Sequence, residues 1–289
     1  MHYQGNIFRP PSEAYSILLQ ITTGCSHNKC TFCGMYKGTR FSIKDDETIM
    51  ADLDFAAQHC RNQDRLFLCD GDALILPQQR LLSILKAIRA KLPWVKRIGT
   101  YANTKSIRMK NPEQLHELHS AGLGIAYMGL ESGDDTTLRN INKGADAKQM
   151  IDMGKKLRAS GMKLSITVLL GIGGRERSHV HARETGRVLS AIDPEYVGAL
   201  SLMLTPNTPL FAASNRGEFS LLTSTEMLEE LAIMFAATEL SDGYFHANHA
   251  SNYLPIKAKL PKDKDATLQL ISRALAGKIT LKPEYMRGL

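Results

Sequence analysis

Short apolar runs alternate with amphipathic segments of helix length along the first 204 residues. Apolar runs of strand length lie at 16–22, 65–69, 95–101, 124–130, 163–171 and 196–204. Segments with helical periodicity lie between them, at 45–59, 77–92, 111–122, 146–160 and 178–191. Because the strands are almost continuously apolar, they are typical of a parallel sheet covered by helices. The pattern therefore predicts an α/β fold.

The alternation stops near residue 210. Residues 223–240 then have the pattern of one amphipathic helix, in which Thr223 and Glu226 form a plausible capping box at its start. A polar stretch, 241–255, and a short basic helix, 263–277, complete the chain. We therefore predict a core of residues 1–210 and a mostly helical C-terminal extension of residues 211–289.

The chain carries a net charge of +7, and residues 255–289 hold eight Lys and Arg against three Asp and Glu. Such a tail attracts phosphate-bearing partners such as RNA, although a solvated helix face has the same composition. No apolar run approaches the roughly 20 residues that span a bilayer. The first residues also lack the apolar segment of a signal peptide. We therefore expect a cytoplasmic protein that has no membrane segment.

Three of the five cysteines, Cys25, Cys30 and Cys33, fall within nine residues. Thiols this close together in a reducing compartment hold metal more often than they form disulfides. Three thiolates on a [4Fe–4S] cluster leave one iron open to an external ligand, whereas His27 would complete a closed zinc site. The trio follows the first strand, at the carboxyl edge of the predicted sheet, where parallel sheets place active sites. This position favours the reactive cluster.

The stretch TTGCSHNKCTFCGMYKG resembles the cluster loop of the radical S-adenosylmethionine (radical SAM) superfamily. That family commonly spaces its cysteines C-x3-C-x2-C and often has an aromatic residue before the third, as Phe32 is here. This chain has one residue more, in the spacing C-x4-C-x2-C. We predict that the extra residue bulges the loop around His27 and Asn28 without changing which three thiols bind.

Other predicted strand ends resemble the same family. Stretches similar to its SAM-binding motifs follow the second, fourth, fifth and sixth strands, and in this sequence they contain Asp70, Gly71, Asp72, Glu131, Ser132, Gly171, Gly173, Glu176 and Thr205. The resemblance implies that one of the two Asp residues binds the amino group of SAM. It implies that Glu131 binds a ribose hydroxyl or the methionine group. It also implies that the glycine-rich turn 171–176 faces adenine.

The resemblance implies a partial (β/α)6 TIM-like barrel whose open side is covered by residues 211–289. It implies one [4Fe–4S] cluster that reductively cleaves SAM to methionine and a 5′-deoxyadenosyl radical, which takes hydrogen from a substrate. A flavodoxin- or ferredoxin-type protein would supply the electron. The expected substrate-facing residues are Tyr101, Asn103, His249 and Asn252, although each is equally suited to satisfying loop backbone groups.

Two alternatives remain open from the sequence. One is a zinc-stabilised RNA-binding module with a Cys3His site and the basic tail, and the other is a single-cluster electron carrier. The zinc module leaves the glycines at three strand ends unexplained, and an electron carrier has no need of an open iron, a deep barrel or acidic SAM contacts. Within the leading hypothesis, a small-molecule substrate is favoured over RNA. His179 and His181 are expected to lie on the surface.

Overall fold

The computed structural model describes residues 1–288 and divides into two compact units. The first unit comprises Met1–Asn28, Met35–Met128 and Lys155–Leu164. The second comprises Lys29–Gly34, Gly129–Gly154 and the chain from Ser165 onward. Among the helices of the described residues, none combines the length and apolar character needed to cross a bilayer.

Strands and helices alternate along most of the chain. The strands are β1 (Ile17–Gln20), β2 (Thr22–Thr23), β3 (Ser42–Ile43), β4 (Arg65–Cys69), β5 (Arg97–Ala102), β6 (Leu123–Glu131), β7 (Lys163–Leu170), β8 (Tyr196–Ser201), β9 (Gly243–His246) and β10 (Lys257–Leu260). The α-helices are α1 (Asp46–His59), α2 (Gln78–Lys91), α3 (Thr104–Arg108), α4 (Pro112–Ser120), α5 (Asp135–Asn140), α6 (Ala147–Ala159), α7 (Gly174–Ile192), α8 (Pro209–Asn215), α9 (Ser224–Ala237) and α10 (Lys264–Leu275).

In the first unit, β1, β4, β5 and β6 are hydrogen-bonded in that order and run parallel. Strand β4 is fully buried from Leu66 to Cys69, as its apolar sequence predicts. Helix α4 begins at the predicted N-cap, Asn111, whose side chain forms a capping box with Gln114. Just beyond its end, Gly122 adopts φ +108°, a conformation that side chains disfavour.

In the second unit, β7, β8 and β9 are parallel, and β10 pairs antiparallel with β9. One face of these strands is apolar and lies under helices, with the ring of Phe245 edge-on to Phe235 of α9 at 5.0 Å between centroids. Helix α9 begins at Thr223 with the predicted capping box to Glu226.

The structure differs from the predicted elements in several places. The short helices α3, α5 and α8 and strand β3 were not predicted. The first predicted strand is two strands, because Thr22–Thr23 leaves β1 and pairs antiparallel with β3. Helix α7 begins at Gly174, four residues before the predicted start. The stretch predicted as polar and irregular, 241–255, contains β9, and β10 follows it. Neither strand was predicted. The boundary predicted between residues 210 and 211 stays a prediction.

Candidate active site

The first half of the cysteine loop lies against the turn after β4, within the first unit. The backbone N–H of Gly71 donates to the carbonyl oxygen of Gly24 at 3.1 Å. A Cβ atom at Gly71 would lie 3.0 Å from the Cβ of Cys25 and 2.8 Å from the ring of Tyr36. Glycine at position 71 therefore allows the turn to approach Cys25 this closely.

Asn28, one of the four residues between Cys25 and Cys30, has a defined structural role. Asn28 adopts a left-handed conformation, φ 42°, at the position where the sequence predicted a bulge. Its side-chain amide donates to the carbonyl oxygen of Tyr36 at 2.8 Å. Asparagine tolerates this conformation better than most residues. This hydrogen bond holds Asn28 within the loop, and the bulge around His27 and Asn28 stays a prediction.

The second half of the loop is held within the second unit. The Thr31 N–H donates to the carbonyl of Ile141 at 3.0 Å, and its carbonyl accepts from the N–H of Leu210 at 2.9 Å. These two bonds fix the backbone that immediately follows Cys30.

The residue that follows Cys33 is a glycine for a steric reason. A Cβ at Gly34 would lie only 2.7 Å from Cγ2 of Thr205, the predicted cofactor residue after β8. Thr205 is half-buried, and its carbonyl accepts from the hydroxyl of Thr208 at 2.7 Å. The structure thus places the end of the cysteine loop beside a residue that the family resemblance singled out.

The three loop cysteines and Phe32 are all half-buried. Within residues 1–288, no group of three or more His, Cys, Asp or Glu side chains is arranged to hold a metal ion. The donor set itself fits an iron–sulfur cluster, which takes thiolate ligands.

Asp72 is a buried carboxylate with hydrogen bonds to only one of its two oxygens. Its Oδ2 atom accepts from Ser26 Oγ at 2.5 Å and from Asn103 Nδ2 at 2.8 Å. Its Oδ1 atom is buried and has no hydrogen-bond partner among the described residues. Burial raises the pKa of Asp72 to about 6, against the lowering effect of Ser26, Ser106 and Asn103. An unpartnered carboxylate oxygen fits a ligand that donates hydrogen bonds, such as an ammonium group.

Asp70 differs from Asp72 because both of its oxygens have partners. Oδ2 accepts from Gln20 Nε2 at 2.8 Å, and Oδ1 lies 3.4 Å from the hydroxyl of Tyr36. Burial raises its pKa, and the hydrogen bonds from Gln20 and Tyr36 oppose that effect. Of the two aspartates that the sequence left as alternatives, Asp72 is the one with a free acceptor.

The two substrate residues predicted to follow the third strand have different surroundings. Tyr101 lies within β5, which extends to Ala102, and only Asn103 follows it. Tyr101 is half-buried and lies edge-on to Phe67 and Tyr127. Asn103 caps helix α3 through its Oδ1 atom, which accepts from the N–H of Ser106 at 3.0 Å. Its amide nitrogen donates to Asp72, so Asn103 orients that carboxylate.

Glu131, the last residue of β6, is a buried acid in an unusual backbone conformation. It is 9% exposed, adopts φ 62° and pairs with Lys143 at 2.9 Å. A Cβ at Gly129 would lie 2.2 Å from Glu131 Oε1, so the glycine leaves room for the side chain. Burial lowers the pKa of Lys143, but Glu131, Cys30 and Cys33 raise it, and the net direction is upward. Lys143 is therefore a half-buried cation whose direct partner is Glu131.

The neighbouring Ser132 leads into a buried network that the sequence did not predict. Its hydroxyl is hydrogen-bonded to His181 Nδ1 at 2.8 Å and accepts from the N–H of Asp134. His181 Nε2 lies 3.4 Å from Oε1 of Glu230, on α9. Both His181 and Glu230 are 0% exposed. The expected surface position of His181 is wrong, because α7 begins earlier than predicted and its buried face includes this residue, whereas His179 is exposed.

Glu230 also holds the glycine-rich turn after β7. Its Oε1 accepts from the N–H of Gly171 at 2.6 Å, and its Oε2 accepts from the Ser178 hydroxyl at 2.5 Å. Gly171 adopts φ +83°, and a Cβ there would lie 2.4 Å from Cε of Met227. An acidic residue on an amphipathic helix gives no sequence signal that it is buried, so Glu230 was missed.

Two other predicted cofactor residues follow Gly171. Gly173 is the N-cap of α7, and Glu176 is exposed in the first turn of that helix. The predicted turn is therefore shorter than 171–176. Their contact with adenine stays a prediction.

The predicted substrate residues of the extension are fixed by internal contacts. Asn252 is 2% exposed, accepts from Ser201 Oγ and donates to the carbonyl of Ala199, both at 2.8 Å. The half-buried His249 accepts from the N–H of Ser251 at 3.1 Å, so its Nδ1 atom is unprotonated. Arg287 secures the same loop by donating to the carbonyl of Ser251 at 2.6 Å.

The family model of the radical SAM superfamily matches residues 19–183, which is more than half of the chain. The chain belongs to the radical SAM superfamily. Its members use a [4Fe–4S] cluster and SAM, and these are the cofactors of this radical SAM protein.

Curated relatives match this radical SAM protein over part of their length. It is 24% identical to biotin synthase of Buchnera aphidicola over 216 residues, 74% of this chain and 61% of that protein. It is 23% identical to 4′-phospho-dehydrooxetanocin synthase of Priestia megaterium over 172 residues, 54% of this chain and 23% of that protein. The chain thus spans less than two thirds of each of these relatives.

Solved structures of superfamily members share the fold of this radical SAM protein. The methyltransferase TsrM of Kitasatospora setae is 18% identical with a TM-score of 0.56, covering 69% of this chain and 39% of that one. Methylornithine synthase (PylB) is 15% identical with a TM-score of 0.54, covering 78% of this chain and 63% of that one. The predicted fold class, a partial (β/α)6 TIM-like barrel with a mostly helical C-terminal extension, is confirmed.

Proposed function

We propose that this protein is a radical SAM enzyme in which Cys25, Cys30 and Cys33 hold one [4Fe–4S] cluster. When bound, the cluster supplies the electron that cleaves SAM to methionine and a 5′-deoxyadenosyl radical, which takes hydrogen from the substrate. The observation that carries the proposal is the buried, unpartnered Oδ1 of Asp72, next to the glycine that lies against Cys25. An acceptor of this kind is what the SAM ammonium group requires.

The residues around Asp72 prepare it for that role. Ser26 and Asn103 both donate to Oδ2, so the carboxylate is oriented with Oδ1 left for the ligand. Asn103 also caps α3, which keeps its amide in one position. We therefore assign the ammonium to Asp72 and a structural role to Asp70.

The remaining SAM contacts are proposed within the second unit. Glu131 is held by Lys143 and, as a carboxylate, accepts hydrogen bonds from ribose hydroxyls. We propose that adenine contacts the backbone of the turn that Gly171 and Gly173 border. Ser132 follows Glu131, Thr205 lies beside Gly34 at the end of the cysteine loop, and we propose both, with Glu176 and Phe32, as further cofactor contacts.

Fewer observations support the substrate residues. Tyr101 is half-buried near the end of β5, and His249 has its Nε2–H available because Nδ1 is the acceptor. Both of the polar atoms of Asn252 are bonded within the protein, so we propose that it positions the loop of His249. An electron donor of the flavodoxin or ferredoxin type and a cytoplasmic location stay predictions.

Anaerobic purification and reconstitution test this function. We expect a brown protein with about four irons per chain. After reduction it should convert SAM to methionine and 5′-deoxyadenosine. The zinc-module alternative predicts a colourless protein with one tetrahedral zinc, and that result would overturn the proposal. Iron bound without any SAM cleavage would instead support the electron carrier.

A further inference from the structure

One side of helix α7 contacts the residues that follow β6. His181 Nδ1 lies 2.8 Å from the Ser132 hydroxyl, and four residues further along the helix the Thr185 hydroxyl accepts from the N–H of Gly133 at 2.8 Å. Residues four apart share one side of a helix. The two elements approach closely, because a Cβ at Gly133 would lie 2.3 Å from the carbonyl oxygen of Glu184. Helix α7 therefore fixes the backbone at the end of β6.

The same helix begins at the glycine turn after β7, the second stretch of this unit that is proposed to contact SAM. Gly173 is the N-cap of the helix, and a Cβ at that position would lie 3.0 Å from the Cβ of His181. The N–H of Gly171 donates to Glu230, whose Oε1 atom lies 3.4 Å from His181 Nε2. His181 therefore contacts the turn at Gly173 and faces the acid that holds the turn at Gly171.

The His181 ring is enclosed between polar groups that are themselves buried. His181, Ser132 and Glu230 are all 0% exposed. Among the described residues, His181 Nε2 has no hydrogen-bond partner, although the Glu230 carboxylate faces it. A buried nitrogen without a hydrogen bond costs stability, and a phenylalanine would fill a similar space without that cost. Packing alone therefore does not explain a histidine here, whereas the two polar groups on either side of its ring do.

The contact between His181 and Ser132 also bears on Glu131, the proposed ribose ligand. Glu131 adopts φ 62°, and a left-handed conformation of a residue with a side chain persists only where the surrounding structure fixes it. The Ser132 hydroxyl has two partners, because it meets His181 Nδ1 and accepts from the N–H of Asp134 at 3.0 Å. These bonds hold the residue next to Glu131 and so oppose relaxation of its backbone.

We propose that His181 is a positioning residue for SAM, which couples the end of β6 to the glycine turn after β7. Because its ring nitrogens face Ser132 and Glu230, it acts through those two residues rather than on the cofactor itself. A change at either stretch is then felt at the other, and the two sets of SAM contacts form together. The inference rests on the proposed function for the identity of the cofactor, and the coupling rests on contacts within the second unit alone.

Hydrogen–deuterium exchange of backbone amides, read by mass spectrometry on the cluster-loaded protein without SAM, tests the coupling. Ser132→Ala alters only the β6 side, yet the amides of residues 171–174 should exchange about tenfold faster than in the wild type. His181→Phe, which removes both ring nitrogens, should have the same effect. His179→Phe, at an exposed position of the same helix, should exchange like the wild type. The proposal fails if Ser132→Ala leaves the turn at its wild-type exchange rate, and this smaller change decides the test if His181→Phe does not fold.

The kinetics of SAM cleavage separate positioning from a general loss of structure. His181→Phe should raise the KM for SAM about tenfold and leave kcat and iron content within about twofold of the wild type, because a lost binding contact raises KM alone. A wild-type KM in His181→Phe, or a fall in kcat and iron content with KM unchanged, would overturn the proposal. A wild-type protein that forms no 5′-deoxyadenosine would instead defeat the proposed function, and the exchange measurement would still report on the coupling.

Discussion

The carboxylate of Glu230 accepts a 2.6 Å hydrogen bond from the backbone N–H of Gly171. Glu230 lies on α9, in the predicted extension, and Gly171 begins the turn that the family resemblance assigns to adenine. The same carboxylate accepts from Ser178 and lies 3.4 Å from Nε2 of His181. Within the second unit, one buried acid therefore connects the extension to a proposed cofactor turn.

Replacing Glu230 should weaken SAM binding and destabilise the fold. Glu230→Ala leaves the Gly171 N–H and the Ser178 hydroxyl buried without partners, which costs about 1–3 kcal/mol for each group. We expect a lower unfolding temperature and a KM for SAM raised about tenfold, with unchanged iron content. Glu230→Gln keeps one acceptor oxygen, so its unfolding temperature and its KM for SAM should lie between those of the wild type and Glu230→Ala. Glu229→Ala, at the exposed neighbouring position, is the control. A KM equal to that of the wild type would show that the contact does not position the turn.

Asp72→Asn should affect stability and SAM binding in opposite directions. The pKa of Asp72 is raised from 3.8 to about 6, so the folded protein prefers the protonated form. Stability is therefore lost as the pH rises from about 4 to about 6. Asparagine mimics the neutral acid, so the cofactor-free variant should be more stable than the wild type at pH 7.5, by up to about 3 kcal/mol. The difference should vanish near pH 4.

The same variant removes the negative charge proposed to meet the SAM ammonium group. We expect the dissociation constant for SAM to rise at least tenfold, measured by equilibrium dialysis on the cluster-loaded protein. Asp70→Asn, which changes a carboxylate whose oxygens both have partners, should have a smaller effect. A larger loss with Asp70→Asn would reverse the assignment of the two aspartates.

Gly34→Ala should impair cluster retention through a single contact. Its new Cβ would lie 2.7 Å from Thr205 Cγ2, so either the loop after Cys33 or Thr205 must move. Thr205→Ser removes that methyl group, and the double variant should recover most of the iron lost by Gly34→Ala. Iron analysis of the three variants measures this recovery. If the double variant holds no more iron than Gly34→Ala, the contact is not the cause.

Sequence patterns predicted the elements whose signals are local. The apolar run of β4 matches its predicted bounds, and the caps at Asn111 and Thr223 are where the sequence places them. Strands β9 and β10 were missed because each has four residues and alternates polar with buried positions. Such short segments resemble loops until the neighbouring strand is known.

Side-chain environments in the site depend on contacts between distant parts of the chain. The sequence marked Asp70 and Asp72 together. Their roles differ only through hydrogen bonds from distant residues: Gln20 donates to Asp70 from 50 positions away, and Ser26 and Asn103 donate to Asp72 from 46 and 31 positions away. Glu230 and His181 are buried together although neither lies in a recognisable motif. Their importance follows from packing between α7 and α9, which no local pattern encodes.

The direct test of the cluster assignment is SAM cleavage by Cys30→Ala compared with Cys60→Ala, after anaerobic reconstitution and reduction. Both substitutions remove one half-buried thiol, but Cys60 lies outside the cysteine loop. Cys60→Ala should keep about four irons per chain and form 5′-deoxyadenosine at the wild-type rate. Cys30→Ala should lose most of its iron and all cleavage while remaining folded. Continued cleavage by Cys30→Ala would contradict the assignment of the three loop thiols.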